Sequence, residues 1–443
     1  SAASDVYKRQ DYNLNSMKDM QRLLLLIILI AGYLSVFGEK FAHKSIGGEG
    51  DSNIPKESVK SPYFDYILGE EGRQACLRLP KLQKEVKAVL YTHQNMTEEV
   101  LFRSERFRQK MDSLGVAMAF VQRGSQNWDV TKGCQERFDS IISGFSRISD
   151  HPEIATAPII PFGHSAQATF PWNFAAWNPD RTLCIISYHG DAPRTNLCGY
   201  GRENIEWGRT RNIDSIPGLM IEGEYEWWEA RVRPALAFRM MYPESRISFL
   251  CDAGKGHFDL CEETQDYIAK FIEKSLANPR PAGGEYYSRW YEDGSESTDS
   301  HDQFWYHDKE MVNLTKARYQ STLGKKMQYL SAKINGRQIR YNPDMHVKMH
   351  IEIDTSEFIV EPFFANENRS EASEKHASVK PKVVILSGPV IQTGEYTFKY
   401  DPNYFGKDPK RQWKDITLCL EADGDNNYKS AVQELTIKIS GVN

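Results

Sequence analysis

Between residues 87 and 275 the hydrophobic positions fall into short continuous runs separated by longer amphipathic stretches. The runs at 88–91, 116–121, 157–162, 183–188, 219–221 and 247–250 are almost wholly apolar rather than alternating. Such runs predict strands buried on both faces of a mostly parallel sheet. The stretches at 97–114, 134–148, 166–177, 229–241 and 262–275 predict the intervening helices. In the first, Thr97 can cap, Glu98 and Glu99 favour the positive end of the helix, and Gly115 can stop it. The repeated order of strand and helix predicts an α/β unit with crossover connections.

After residue 278 the pattern changes. Residues 279–284 are rich in helix and strand breakers and 293–302 are acidic and serine-rich, which marks a linker or surface excursion, and 304–319 predict one more helix. Beyond about residue 325 the apolar positions alternate, as in Val347-Lys-Met-His-Ile-Glu-Ile and Leu435-Thr-Ile-Lys-Ile, with turn clusters between the runs. Period-two patterning of this kind predicts an all-β sandwich over 325–443. Asp423-Gly-Asp425-Asn-Asn427, with Glu434 beyond, spaces superficially like a calcium loop, but Tyr428 stands where that loop needs glycine, so a hairpin turn is expected.

Upstream, a basic segment at 17–22 precedes 15 apolar residues at 23–37 and a small-residue site at Gly38. That is the layout of a secretory signal, and the run is shorter than the roughly 20 residues that span hydrocarbon. The expectation is an exported bacterial protein, periplasmic or extracellular, with the signal at 17–38 removed and no membrane span in the mature chain. Residues 1–16 resemble a translated sequencing adapter and are set aside. The expected α/β unit covers 60–278, the linker and helical extension 279–324.

Charge narrows the partners. The 55 Lys and Arg residues against 60 Asp and Glu give a net charge of −5, so no nucleic acid or anionic membrane partner is expected. Seven cysteines lie without CxxC spacing, their pairing is not readable, and an odd count leaves at least one unpaired. No HExxH, phosphate-binding loop or strand-end GxGxxG occurs, so neither a cofactor nor a metal is expected. The oligomeric state is left open. The sequons at Asn95, Asn313 and Asn368 would count only in a eukaryotic secretory pathway, which the leader does not suggest.

Three apolar runs end in residues that carry chemistry. Pro161-Phe162-Gly163-His164-Ser165-Ala166-Gln167 places a serine between small residues at a strand-to-helix junction. Leu219-Met-Ile-Glu-Gly-Glu-Tyr-Glu226 ends in a glycine and carboxylates. Ile247-Ser-Phe-Leu-Cys-Asp-Ala-Gly-Lys-Gly-His257 ends in a glycine-rich loop and a histidine. Ser165 and Glu226 are 61 residues apart, Glu226 and His257 31, which leaves room for the connecting elements.

In this order of serine, acid and histidine the chain resembles the α/β-hydrolase superfamily, over roughly residues 80–278. The resemblance implies Ser165 as nucleophile, His257 as base and Glu226 as orienting acid, with Glu224 the alternative and Glu222 and Asp191 weaker candidates. It also implies an oxyanion hole from the amide of Ala166 and a second donor in the loop after the first strand, Gln94 first and Asn95 next. His93 either matches a histidine often found in that loop or is packed. Gln167 departs from the family pattern, which has glycine there. Trp172, Trp177, Trp207, Trp227 and Trp228 are candidates either for core or for contact with substrate.

The function expected on this resemblance is hydrolysis of carboxylic esters through an acyl-enzyme, on a small-molecule or carbohydrate ester such as an acylated carbohydrate or a plant-derived ester. The β-sandwich would position the enzyme against an extended ligand. The alternatives are a peptidase or amidase using the same triad, and a catalytically decayed hydrolase acting as a binding protein, its elbow distorted by Gln167.

Overall fold

The computed structural model describes residues 66–68, 75–122, 127–195, 207, 213–224, 228–257, 260–288, 295–341, 348–370, 376–402 and 415–440. The leader, Cys198, Glu226, Trp227 and the side chain of Trp228 lie outside the described residues.

Eight strands form one sheet: β1 (Tyr66–Leu68), β2 (Ala75–Arg78), β3 (Ala88–His93), β4 (Val116–Val121), β5 (Ile159–His164), β6 (Ile185–Tyr188), β7 (Pro217–Gly223) and β8 (Arg246–Asp252). Their order is β1-β2-β4-β3-β5-β6-β7-β8. The pairs β1/β2 and β2/β4 are antiparallel, and β4, β3, β5, β6, β7 and β8 run parallel. Every residue of β3 to β8 is buried, which is why the middles of these strands read as nearly continuous apolar runs. Along β4 the side chains divide in alternation: Val116, Met118 and Phe120 enter one core, Ala117, Ala119 and Val121 another. The sheet is therefore covered on both faces.

The covering helices are α1 (Met96–Arg103), α2 (Glu105–Leu114), α3 (Cys134–Ser149), α4 (Thr169–Trp177), α5 (Trp228–Met241) and α6 (Glu262–Ala277). The expected single helix over 97–114 is two, because Ser104 turns extended (φ −64, ψ 112) and its hydroxyl accepts from Phe107 N, ending α1 and capping α2. A buried pair, Arg78 with Asp112 at 2.6 Å, ties β2 to α2.

The expected linker is folded onto the α/β unit. β9 (Glu285–Ser288) and β10 (Gln303–Tyr306) form a hairpin, followed by α7 (Lys309–Gln320). Phe304, Tyr306 and Met311 join the core under the sheet, Ser248 Oγ donates to Trp305 O at 2.5 Å and the Tyr306 hydroxyl to Phe249 O at 2.7 Å. The helix starts later than expected because Asp308 accepts from Met311 N and caps it.

The remaining strands are β11 (Tyr329–Ile334), β12 (Arg337–Gln338), β13 (Arg340–Tyr341), β14 (Lys348–Ile353), β15 (Glu357–Ala365), β16 (Lys382–Ser387), β17 (Val390–Gln392), β18 (Thr397–Tyr400), β19 (Asp415–Ala422) and β20 (Ala431–Ile439). They form two five-stranded sheets, β12-β11-β15-β18-β17 and β13-β14-β20-β19-β16. One core holds Leu330, Phe358 and Val360 from the first sheet and Leu418, Leu435 and Ile437 from the second, so the module is a sandwich. The calcium-like segment is the β19–β20 turn, where Asp425 Oδ1 accepts from the amides of Asn427 and Tyr428 at 2.7 and 2.9 Å. Glu434 sits inside β20 opposite Cys419 rather than in that turn. The six described cysteines are buried, and no helix among the described residues is long and apolar enough to cross a membrane.

Candidate functional site

β5 ends at the centre of the sheet, and the chain reverses immediately into a short 3₁₀ turn, Ser165–Gln167, before α4. Ser165 is held at φ 52, a left-handed conformation that a non-glycine residue enters at a cost of about 1–2 kcal/mol. Ser165 O accepts from Ala168 N at 2.9 Å, which closes the turn. A Cβ on Gly163 would stand 2.0 Å from Gln167 O, so only glycine lets the strand and the turn approach this closely.

The residue before the serine is gripped on both of its peptide groups by the loop after β3. Glu98 Oε1 accepts from His164 N at 2.8 Å, and Asn95 Nδ2 donates to His164 O at 2.7 Å. Asn95 is the N-cap residue of α1 and Glu98 lies in its first turn, so the helix start is bonded directly to the elbow. Burial pushes the Glu98 carboxyl well above the usual carboxylate range, against the pull of the His164 amide. The Asn95 side-chain amide is thus engaged inside the fold.

β8 brings His257 to the serine: Nε2 lies 2.7 Å from Ser165 Oγ. Two further histidines hold the same residue by its backbone. His164 Nε2 and His189 Nδ1 lie 2.7 and 2.8 Å from His257 O. A carbonyl only accepts, so both nitrogens carry hydrogen and both rings donate to it. His189 follows β6, adopts φ 46, and stacks on Tyr188 at 4.0 Å between ring centroids. One ring nitrogen from each of His164, His189 and His257 lies within 4.8 Å of the others, a donor set that could hold a metal ion. The hydrogen bonds to the His257 carbonyl already direct one nitrogen of two of them elsewhere.

The carboxylate candidates separate by their partners. Asp191 accepts from Thr169 Oγ1 at 2.7 Å, and its carbonyl accepts from Trp172 Nε1 at 2.6 Å, pinning α4 to the end of β6. Glu222 is buried, accepts from Gly190 N at 3.1 Å and pairs with Arg231 at 2.7 Å. Glu224 accepts from Gly254 N at 2.7 Å through one oxygen and from Lys429 Nζ at 2.6 Å through the other. All three are thus engaged in tying elements together, and Glu226 lies outside the described residues.

The oxyanion candidates divide likewise. Gln94 N donates to Val121 O at 2.9 Å, extending the β3–β4 pairing by one residue, so its amide is spent on the sheet and the expectation for Gln94 is corrected. Asn95 stands beside the elbow through its bond to His164, and Ala166 is half-buried in the first turn after Ser165. His93 is a packed histidine, 2% exposed, with its ring 4.1 Å from that of Phe170 and stacked on Trp128. Trp172 and Trp207 are core residues, and Trp207 donates to Asn173 Oδ1 at 2.6 Å. Trp177 is half-buried at the end of α4. Sequence reasoning assigned no role to His164 or His189 and gave Glu98 only a place at the helix start; His164 adjoins the serine and was the readable signal, whereas His189 and Glu98 meet the site only in the folded chain.

No family model matches the sequence, and no curated protein matches it. Similar solved structures include Est1E from Butyrivibrio proteoclasticus, with 13% identity over 48% of this chain and 97% of that one and a TM-score of 0.33. FphF, a fluorophosphonate-binding serine hydrolase of Staphylococcus aureus, has 11% identity over 49% and 94%, TM-score 0.35. A truncated carbohydrate esterase from gut microbiota has 12% over 46% and 91%, TM-score 0.34. The parallel sheet covered on both faces, the serine on a left-handed turn after β5 and the histidine after β8 have the layout of the α/β-hydrolase fold.

Proposed function

We propose that the chain is a serine hydrolase that cleaves carboxylic esters through an acyl-enzyme on Ser165. The observation that carries the reading is the 2.7 Å approach of His257 Nε2 to the hydroxyl of a serine held in a strained conformation. A serine hydroxyl is a weak nucleophile until a neighbouring imidazole takes its proton. In the proposed cycle His257 Nε2 accepts that proton as Ser165 Oγ attacks the ester carbonyl carbon. The tetrahedral oxyanion is held by the Ala166 amide and a donor at Asn95. Collapse expels the alcohol, which takes the proton from His257, and water then releases the acid by the same steps in reverse. Glu226 is the proposed carboxylate that holds the His257 tautomer, on its place in the acid turn two residues after Glu224.

For substrate, the reading extends to an acylated carbohydrate or plant-derived ester outside the cytoplasm, supported by the leader-like segment at 17–38 and the appended β-sandwich. The test is intact mass after treatment with a fluorophosphonate probe, for the full chain and for Ser165→Ala. An adduct on the first and none on the second is expected; no adduct on either would sink the proposal and favour the decayed binding protein. Acid release from acetylated and feruloylated glycans checks the substrate class, and faster cleavage of amide than of ester analogues would replace esterase by amidase.

A further inference from the structure

The β-sandwich reaches the two loops that follow β7 and β8. Glu224, directly after β7, accepts from Gly254 N at 2.7 Å and from Lys429 Nζ at 2.6 Å. Its own amide donates to Asp252 O at 3.1 Å. Ser430 Oγ donates to Gly254 O at 3.3 Å. One short stretch of the sandwich, Lys429 and Ser430, thus binds Glu224, two positions before Glu226 in the sequence, and Gly254, three positions before His257.

The contacting turn is stiff. Besides the two amides that Asp425 accepts, Lys326 N donates to Asn427 O at 2.9 Å and Lys429 N to Lys326 O at 2.8 Å. Gln328 Nε2 donates to Lys429 O at 2.9 Å. Lys429 therefore presents its ammonium from a fixed backbone. Its side chain keeps 16% exposure and that of Glu224 25%, so water screens their attraction only in part.

We propose that Lys429 and Ser430 are positioning residues of the hydrolase site. They hold the acid and base loops in register through Glu224 and Gly254, which makes the β-sandwich a structural part of the active site. This rests on the proposed serine-hydrolase function and gives Glu224 the role of a bracket between loops. Removing the ammonium takes the sandwich's hold off Glu224 and leaves the two loops joined only by the direct Glu224–Gly254 and Glu224–Asp252 bonds, and displacements near 1 Å at such a site cost roughly 10²-fold in rate.

The test uses the full chain with Lys429→Met, Lys429→Arg and Ser430→Ala, measuring kcat and KM on one ester that the unaltered protein cleaves and unfolding in urea. For Lys429→Met the expected result is a fall in kcat of at least about tenfold with KM within about threefold, and for Lys429→Arg recovery of most of that loss. A smaller fall in kcat, a change in KM alone, or no recovery with arginine would overturn the proposal. Should Lys429→Met fail to fold, Ser430→Ala decides: a fall in kcat of more than about threefold at unchanged KM supports it, and kcat nearer that of the unaltered protein refutes it. Failure of the underlying function is distinguishable, because the unaltered protein would then give no Ser165 adduct and no turnover.

Discussion

Gly190 follows β6 and lies against Ala168, the residue that carries the elbow into α4. A Cβ built on Gly190 would stand 1.8 Å from Ala168 Cβ and 3.3 Å from its Cα. Carbon atoms in contact sit about 3.5–4.0 Å apart, so Gly190→Ala forces the end of β6 and the elbow turn apart by roughly 2 Å. Gly190 is not in the left-handed region, so alanine adds no torsional penalty there and the steric effect stands alone. Overpacking a closed core costs about 1–3 kcal/mol. Reactivity suffers more, since the displaced turn carries Ser165 and a shift near 1 Å costs roughly 10²-fold. Removing the opposing methyl with Ala168→Gly should restore both stability and labelling, with a coupling of at least about 1 kcal/mol between the two positions. Urea unfolding and the rate of fluorophosphonate labelling measure the two effects. Labelling at the unaltered rate in Gly190→Ala, or no restoration in the double variant, would refute the packing argument.

Burial raises the Glu98 carboxyl, so its contribution to stability is complete below the ordinary value of 4.5 and is lost as pH rises from there toward the raised folded value. Glu98→Gln, which keeps the shape of the protonated acid, should flatten that loss, and urea midpoints from about pH 4 to about pH 8 with an unchanged slope would contradict it. His164→Phe keeps the ring but removes one of the two donors to His257 O, at about 1 kcal/mol. Steady-state kinetics should show kcat falling about 5-fold with KM little changed, and an unaltered kcat would show that His189 alone suffices. Gln167→Gly should leave the labelling rate of Ser165 within about threefold, because the elbow is already closed by the Ala168 to Ser165 bond; an increase of more than about tenfold would mean that Gln167 does impair the serine.

Much of the fold was legible because the relevant signal is local. Continuous apolar runs gave the six parallel strands, since both faces of those strands are covered, and observed boundaries differ by only a few residues. Short or amphipathic elements at the sheet edge and in the hairpin were not legible: β1 and β2 pair antiparallel at one side, while β9 fell in the expected linker and most of β10 in the expected helix at 304–319, because strands of four residues are too short to show a period of their own. The serine and histidine stood out through the turns that carry them. The residues that hold them did not, because Glu98, His189 and Lys429 reach the site across 66, 68 and 205 positions to their partners and leave no spacing pattern. Gln94 was misread for a related reason: where a strand's pairing stops depends on its neighbour, here Val121, and one extra ladder bond removes a donor from the loop.

The departure at Gln167 changes meaning once the packing is considered. What a glycine in this part of the turn provides is room where the elbow passes the neighbouring strands. Here that room comes from elsewhere: Gly163 faces Gln167 O, and Gly190 faces the methyl of Ala168. The Gln167 side chain is itself buried at 7% exposure, and the turn still delivers Ser165 Oγ to 2.7 Å from His257 Nε2. The requirement is therefore for two small residues set against the turn, not for a small residue at one position within it. A glutamine in the motif is compatible with an active elbow so long as Gly163 and Gly190 are kept, and its presence alone is no argument for a decayed site.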